Sequence, residues 1–335
     1  MGYNPPMSWN LIGHTWAEKI LKQHLKKGDL HHAYLFVGAP GVGRRSLALE
    51  FAQAINCTQP PSPGEACGTC SICKQIARMQ QADLHIVAPE VEGGMIKVDQ
   101  IRELQRSLIL SPYEARYRVA LLVNFQLANA NAQNALLKTL EEAPGKVILM
   151  LTADSAESLL PTISSRCEIL RLRPSGIDSL AAALEERFQV PPQKAAAYAH
   201  LANGRPGMAL RLVEDTNIQQ ERSDHLDEFQ KLFDCSIREK LLYSEQLAKN
   251  RDSLRPIIET WISFLRDILL VQQGRPTHIV NTDRAQEINA CARKFTNTGL
   301  LETLDRFVQA LDLLQMNANP RLLLDNLFLQ LPVFS

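Results

Sequence analysis

The chain has 335 residues, 45% hydrophobic and 21% charged, with Lys plus Arg balancing Asp plus Glu at 36 each. That is the composition of ordinary globular domains, two or three of them, not of a disordered or fibrous chain. Zero net charge points to no polyanionic partner, although a local basic patch would suffice for DNA. The start, Met1 to Pro6, lacks the basic and apolar regions of a secretory leader. The longest apolar runs, Val119–Val123 and Val147–Leu151, are far too short to span a bilayer. We therefore expect a cytoplasmic protein with no membrane partner.

In chain order, the first half alternates helix-like and strand-like segments. A helix is expected at Trp16–Lys26, a strand at Ala33–Val37 and a helix at Arg44–Asn56. A loop-like cysteine-rich segment follows, then a strand at Leu84–Val87, a helix at Val98–Leu108 and a strand at Val119–Val123. Next come a helix at Ala132–Glu142, a strand at Val147–Thr152, a short helix at Glu157–Leu160 and a strand at Glu168–Leu172. Short apolar strands separated by helices predict a parallel sheet covered on both faces.

A break at Arg173-Pro-Ser-Gly176 ends this pattern, and no convincing strand follows it. Helices run from Ile177 to about Val213, interrupted at Val190-Pro-Pro192 and Asn203–Gly207. A charged stretch, Glu214–Asp224, leads to helices near Asp227–Lys249, Leu254–Gln272, Arg284–Lys294, Thr298–Asn317 and Pro320–Leu329. The expected fold class is α/β plus all-α, in three parts: 1–175, 176–213 and 214–335.

The first chemical motif is Gly38-Ala-Pro-Gly41-Val-Gly43-Arg44-Arg45-Ser46, directly after a strand. Its glycines fit the G-x-x-x-x-G-K-[ST] loop, whose backbone N–H groups cradle phosphate at a helix N-terminus. Arg44 stands at the lysine position and Arg45 at the Mg²⁺-binding hydroxyl position. A guanidinium has no lone pair for a metal. Ser46 is one residue out of register, turned about 100° around the helix. The strand before Asn124 ends Val123-Asn124-Phe125-Gln126, where an active phosphate-loop ATPase carries acidic residues for Mg²⁺ and water. We expect weak or absent ATP binding.

The second motif is Cys67-Gly-Thr-Cys70-Ser-Ile-Cys73, with Cys57 upstream. Four thiolates at C-x₂-C spacing suit a closed tetrahedral Zn²⁺ site, which would order the segment around 57–78 and leave no open position for catalysis. A redox dithiol needs only two of these cysteines.

The segments His32–Gly43, Asn134-Ala-Leu-Leu-Lys-Thr-Leu-Glu-Glu142 and Ser164-Ser-Arg-Cys167 closely resemble the bacterial clamp-loader branch of AAA+ proteins. The cysteine insertion and the start of the last helix, Asn319-Pro-Arg-Leu-Leu-Leu324, resemble it too, so the likeness covers essentially the whole chain. It implies a RecA-like α/β domain, a helical lid and a helical collar for oligomerisation. The degenerate ATP motifs and length resemble a non-hydrolysing, stator-like subunit. The implied partners are the motor (gamma/tau) and delta subunits of DNA polymerase III, the sliding clamp, and primed DNA through the complex. By position, Arg166 matches an arginine finger acting in trans on the adjacent subunit's ATP, and Thr152 matches a γ-phosphate sensor. Gly207 falls where the branch has a second sensor arginine, with Arg205 two residues early.

Blander roles are expected elsewhere: His31 and His32 are structural or solvated, and Lys138 is divided evenly between a functional face and a solvated one. The apolar residues of Leu311–Leu314 and Leu322–Leu329 read mainly as core. Two other readings stay open: an ATP-hydrolysing gamma/tau-type motor using Arg44 as its lysine, and a stand-alone zinc or redox module.

Overall fold

Five short apolar segments pair into one parallel sheet: β1 (Ala33–Val37), β2 (Leu84–Val87), β3 (Arg118–Leu122), β4 (Val147–Ala153) and β5 (Glu168–Arg171). The structure, a computed structural model, describes residues 9, 11–91, 94–315 and 318–332. The start at Met1–Pro6 and the end of the expected helix at Asn317 lie outside the described residues. Strand order is β2-β3-β4-β1-β5, with Phe36 opposite Thr152 and Val119 opposite Ile148.

Alternation along β1 explains its continuous apolar run. Tyr34 and Phe36 join a core on one face with Trp9, Leu21 and Phe51. Ala33, Leu35 and Val37 join a core on the other face with Ile101, Leu136 and Leu140. Both faces are buried, as in parallel sheets covered by helices. The first face carries α1 (Thr15–Lys27), α2 (Arg44–Asn56) and α3 (Ser71–Ala77). The second carries α4 (Val98–Leu108), α5 (Ala130–Glu141) and the short α6 (Pro161–Ser164).

The chain divides into two compact units: 1–183 with 204–208, and 184–203 with 209–335. In the second, α10 (Thr216–Lys231), α12 (Arg251–Gln272), α14 (Asn297–Gln315) and α15 (Pro320–Leu329) pack around Trp261. Phe229 stacks on the Trp261 ring at 5.1 Å between centroids, and Phe307 and Phe328 close in at 6.0 and 5.7 Å. The remaining helices are α7 (Ile177–Phe188), α8 (Pro192–Leu201), α9 (Pro206–Glu214), α11 (Ile237–Leu247) and α13 (Ala285–Lys294). Among the described residues, no strand follows β5, and no helix is long and apolar enough to cross a membrane.

Four local expectations need correction. The helix expected at Glu157–Leu160 begins instead at Pro161, because a proline disfavours helical backbone in the residue before it but suits the first helical position. The loop-like cysteine segment contains α3, whose Ile72 and Ile76 anchor one face in the core. The charged stretch at 214–224 is largely helical, inside α10. The single helix expected over Asp227–Lys249 is two, α10 and α11. Ser236 and Glu239 form a reciprocal capping box at the start of α11, a signal written in the sequence as S-x-x-E.

Candidate functional site

The carboxyl ends of β3, β4 and β1 lie side by side, so the residues following each meet at one crevice, where ligands bind in open α/β sheets. From β1 comes the glycine loop. Gly41 sits at φ +80°, and Gly43, at φ +105°, leads into α2 without a side-chain cap. Val42, in the middle of the loop, is held at both backbone groups. The Val42 N–H donates to the Ala39 carbonyl at 3.1 Å, and His14 Nε2 donates to the Val42 carbonyl at 2.7 Å. Burial lowers the His14 pKa, with the Val42 hydrogen bond opposing it.

Gly207 donates its N–H to the Gly41 carbonyl at 2.8 Å. A Cβ on Gly207 would stand 3.0 Å from that carbonyl oxygen, and one on Gly41 would stand 3.1 Å from the Met208 nitrogen. Two backbones touch here, and this close approach leaves no ready space for a longer side chain at Gly207. Arg205 is half-buried nearby in the chain.

Arg44 lies inside the crevice, 7% exposed. One guanidinium nitrogen donates to Asp154 at 2.7 Å, and the other donates to Asn124 Oδ1 at 3.0 Å. Asn124, at φ +53°, is itself held by its N–H donating to the Thr152 hydroxyl at 2.8 Å. Thr152 is buried. Arg45 and Ser46 point outward, Arg45 against the Met79 sulfur. The structure therefore brings together Arg44, Asn124 and Thr152 and separates Arg45 and Ser46 from them. Asp154, which sequence reasoning passed over, completes the group. Its signal was its place just past the end of β4.

Arg166 follows α6 at the surface. Its Nη1 donates to the Thr162 carbonyl at 2.9 Å, and its Nη2 to Glu141 Oε1 at 2.8 Å. Its side chain is 35% exposed and that of Glu141 52%. Glu141 ends α5, on the same motif that carries the exposed Lys138. His32 Nε2 donates to the Leu140 carbonyl at 2.9 Å, while the His31 ring meets Tyr34 edge-on, so both make local structural contacts.

The four cysteines converge. Cys57 caps the end of α2 and Cys70 the start of α3, where its sulfur accepts from the Cys73 N–H. The Cys57 sulfur accepts from the Cys67 N–H at 3.2 Å, and the Cys67 sulfur accepts from the Cys70 N–H at 3.3 Å. All four sulfurs lie within 4.8 Å of one another, with Cys67 and Cys73 at 4.0 Å. Zinc–sulfur bonds of about 2.3 Å require tetrahedral edges of about 3.8 Å. These four sulfurs could hold a metal ion. The Thr69 hydroxyl and the Cys70 N–H draw the Cys67 thiol down to about 6, while burial pushes Cys73 up. The module is fastened to the first unit by the Trp9 indole, which donates to the Gly64 carbonyl, and by Lys22, which bridges Glu18 and Glu65.

A parallel sheet with a glycine loop after β1, a buried threonine near the end of β4 and a helical C-terminal half defines an AAA+ protein. Family comparison narrows this. The model described as DNA polymerase III, delta subunit, matches residues 13–176, and that of its C-terminal part matches residues 217–332. The DNA polymerase III subunit delta' of Pseudomonas aeruginosa is 31% identical over 254 residues, 75% of this chain and 71% of the relative. That of Bacillus subtilis is 27% identical over 316 residues, 93% and 94% of the two chains. The gamma/tau subunit of Mycobacterium tuberculosis is 33% identical over 166 residues, 49% of this chain but 28% of the relative. The chain belongs to the delta/delta' family of DNA polymerase III clamp-loader subunits.

Proposed function

We propose that this chain is a non-hydrolysing, stator-like delta' subunit of a cytoplasmic bacterial clamp loader. The carrying observation is the state of Arg44. A motor needs a mobile cation for the β/γ-phosphates, but this buried guanidinium is already held by Asp154 and Asn124 through partly buried, charge-assisted hydrogen bonds. The acidic Mg²⁺ position is Asn124, a neutral amide. Bound Mg²⁺-ATP would have to break the Arg44 contacts, and Arg45 and Asn124 offer neither the hydroxyl nor the acid that a motor carries at those positions.

Arg166 has the opposite character. It is accessible, held by an exposed carboxylate, and always charged. It acts as an arginine finger toward ATP bound on a neighbouring gamma/tau motor. Such a finger stabilises charge in phosphoryl transfer, worth about 10³–10⁵ in rate in small GTPases. The chain works in three parts, 1–175, 176–213 and 214–335, the last a collar that assembles with gamma/tau and delta, and so serves clamp loading on primed DNA. Cys57, Cys67, Cys70 and Cys73 hold a structural Zn²⁺, which supplies folding energy to the insertion and no chemistry to the reaction.

ATP binding and hydrolysis by the purified chain, followed by ATPase of the complex reconstituted with motor and delta subunits, test the reading. We expect no turnover by the chain alone and a fall in complex ATPase for Arg166→Ala with assembly intact. Mg²⁺-dependent hydrolysis by the isolated chain, or normal turnover by the Arg166→Ala complex, would overturn it.

A further inference from the structure

We propose that Glu141 is a positioning residue for Arg166: the last carboxylate of α5 holds the guanidinium out at the surface in the pose from which it acts in trans. The inference rests on the finger reading above and extends it to a second side chain. An arginine on an exposed turn has several rotatable bonds, and fixing them costs on the order of 2 kcal/mol of rotamer entropy. Here the backbone part of that ordering is in place. The Arg166 N–H donates to the Ile163 carbonyl and the Cys167 N–H to the Ser164 carbonyl, so the turn after α6 is fixed.

The side chain is then held at two points on one edge of its fork. Nη1 is on the Thr162 carbonyl and Nη2 on Glu141 Oε1. A guanidinium has five N–H donors, so two such contacts leave donor capacity for phosphate oxygens. Because the Arg166–Glu141 pair is largely solvated, the carboxylate orients the arginine without burying its charge. Compare Arg44, whose guanidinium is buried and held on both nitrogens by its own chain. The two arginines thus have similar bonding and opposite accessibility.

The test is steady-state ATPase of the reconstituted complex, with kcat and KM separated and the variants combined in a cycle. Glu141→Ala should lower kcat about two- to fivefold, the range an exposed ion pair can supply, with KM for ATP unchanged. Glu141→Gln, which keeps an acceptor oxygen at the same reach, should recover most of that loss. In an Arg166→Ala background, Glu141→Ala should cost nothing more, because a positioning residue has no role once its object is gone. Wild-type kcat for Glu141→Ala beside an impaired Arg166→Ala would overturn the positioning role and leave the finger standing. A further loss from Glu141→Ala in the Arg166→Ala background would show that Glu141 acts on the fold. If Arg166→Ala itself turned over normally, the finger and its positioning residue would both fall.

Discussion

Of the arginines in the sheet-bearing unit that make ion pairs, Arg118, Arg44 and Arg166 differ most usefully in what surrounds them. Arg118, 6% exposed, bridges the buried Asp83 at 3.1 Å and the Ser111 carbonyl at 2.9 Å, and also donates to the Ser107 carbonyl. Arg44 is equally enclosed and divides its fork between Asp154 and Asn124. Arg166 makes a bond of the same length to Glu141 but keeps a third of its side chain in solvent. Bond length does not separate them; desolvation does. A buried pair costs several kcal/mol when one partner is removed, because the remaining charge is stranded, whereas an exposed pair is worth about 0–1 kcal/mol. The enclosed arginines build structure, and the exposed one is available to another molecule.

That contrast can be broken most forcefully at the cysteine cluster, which follows the same logic with sulfur. Apparent zinc binding in small structural sites is worth about 10–16 kcal/mol. Chelation, or Cys73→Ser, should therefore abolish amide protection across α3 and the segment from Cys57, with one zinc per chain lost, while the sheet stays protected. Hydrogen exchange read alongside zinc content decides this. Undiminished protection of α3 in metal-depleted protein would mean that Ile72 and Ile76, with the Trp9 and Lys22 contacts, hold the module without metal.

Next in size is Asp83→Ala. Its carboxylate accepts from the N–H groups of Tyr113, Glu114 and Ala115 as well as from Arg118. Denaturant unfolding should show a loss of about 3–5 kcal/mol; under 1 kcal/mol would refute the enclosed-pair argument. The same site predicts a pH dependence. Burial alone would raise the Asp83 carboxyl, but the backbone N–H groups of Ala115, Glu114 and Tyr113 and the Gln81 amide outweigh it and hold it at about 2. A depressed carboxylate contributes stability above its unfolded value, here on the order of 2 kcal/mol at neutral pH, and loses it as pH falls toward 2. Acid unfolding of wild type between pH 5 and about 2 should be steeper than that of Asp83→Asn.

Arg44→Ala comes third, at about 2 kcal/mol, the scale of hydrogen bonds to a charged group. It should not create an ATPase, since the variant has no cation at position 44 for the phosphates, no hydroxyl at Arg45 and no acid at Asn124. Arg44→Lys with Asn124→Asp restores two of the motor's residue types, yet Arg45 still stands at the hydroxyl position and Gly207 still packs on Gly41, so nucleotide binding by that variant is expected to stay weak. Tight Mg²⁺-ATP binding by the double variant, measured calorimetrically, would show that Arg44 and Asn124 alone close the site.

Much of this was legible in the sequence because the signals were local. Five apolar runs marked the strands to within a residue, and Arg44, Arg45 and Asn124 raised the expectation of a lost motor chemistry without any coordinates. The spacing of Cys57, Cys67, Cys70 and Cys73 was enough to predict convergence. What escaped was long-range. That Arg44 is taken up by Asp154 depends on β4 lying next to β1, 110 residues apart in sequence. That Gly207 closes on Gly41 depends on a backbone approach that no side-chain pattern announces. The Ser236–Glu239 capping box was local and could have been found. Helical periodicity across Asp227–Lys249 concealed it, because Leu and Phe recur on both sides of the break.

The smallest expected stability effect is the one that most sharpens the contrast. Arg166→Ala removes two hydrogen bonds of ordinary length, as Arg44→Ala does, but both ends of its ion pair are already hydrated. Its unfolding free energy should stay within about 0.5 kcal/mol of wild type, and added salt should narrow that gap further, because salt screens an exposed pair. The reconstituted complex should nonetheless lose ATPase. A variant that is silent in folding and loud in turnover can only be acting on something outside its own chain. Destabilisation matching that of Arg44→Ala would instead make Arg166 a third structural arginine, and the source of the finger would have to be sought elsewhere in the assembly.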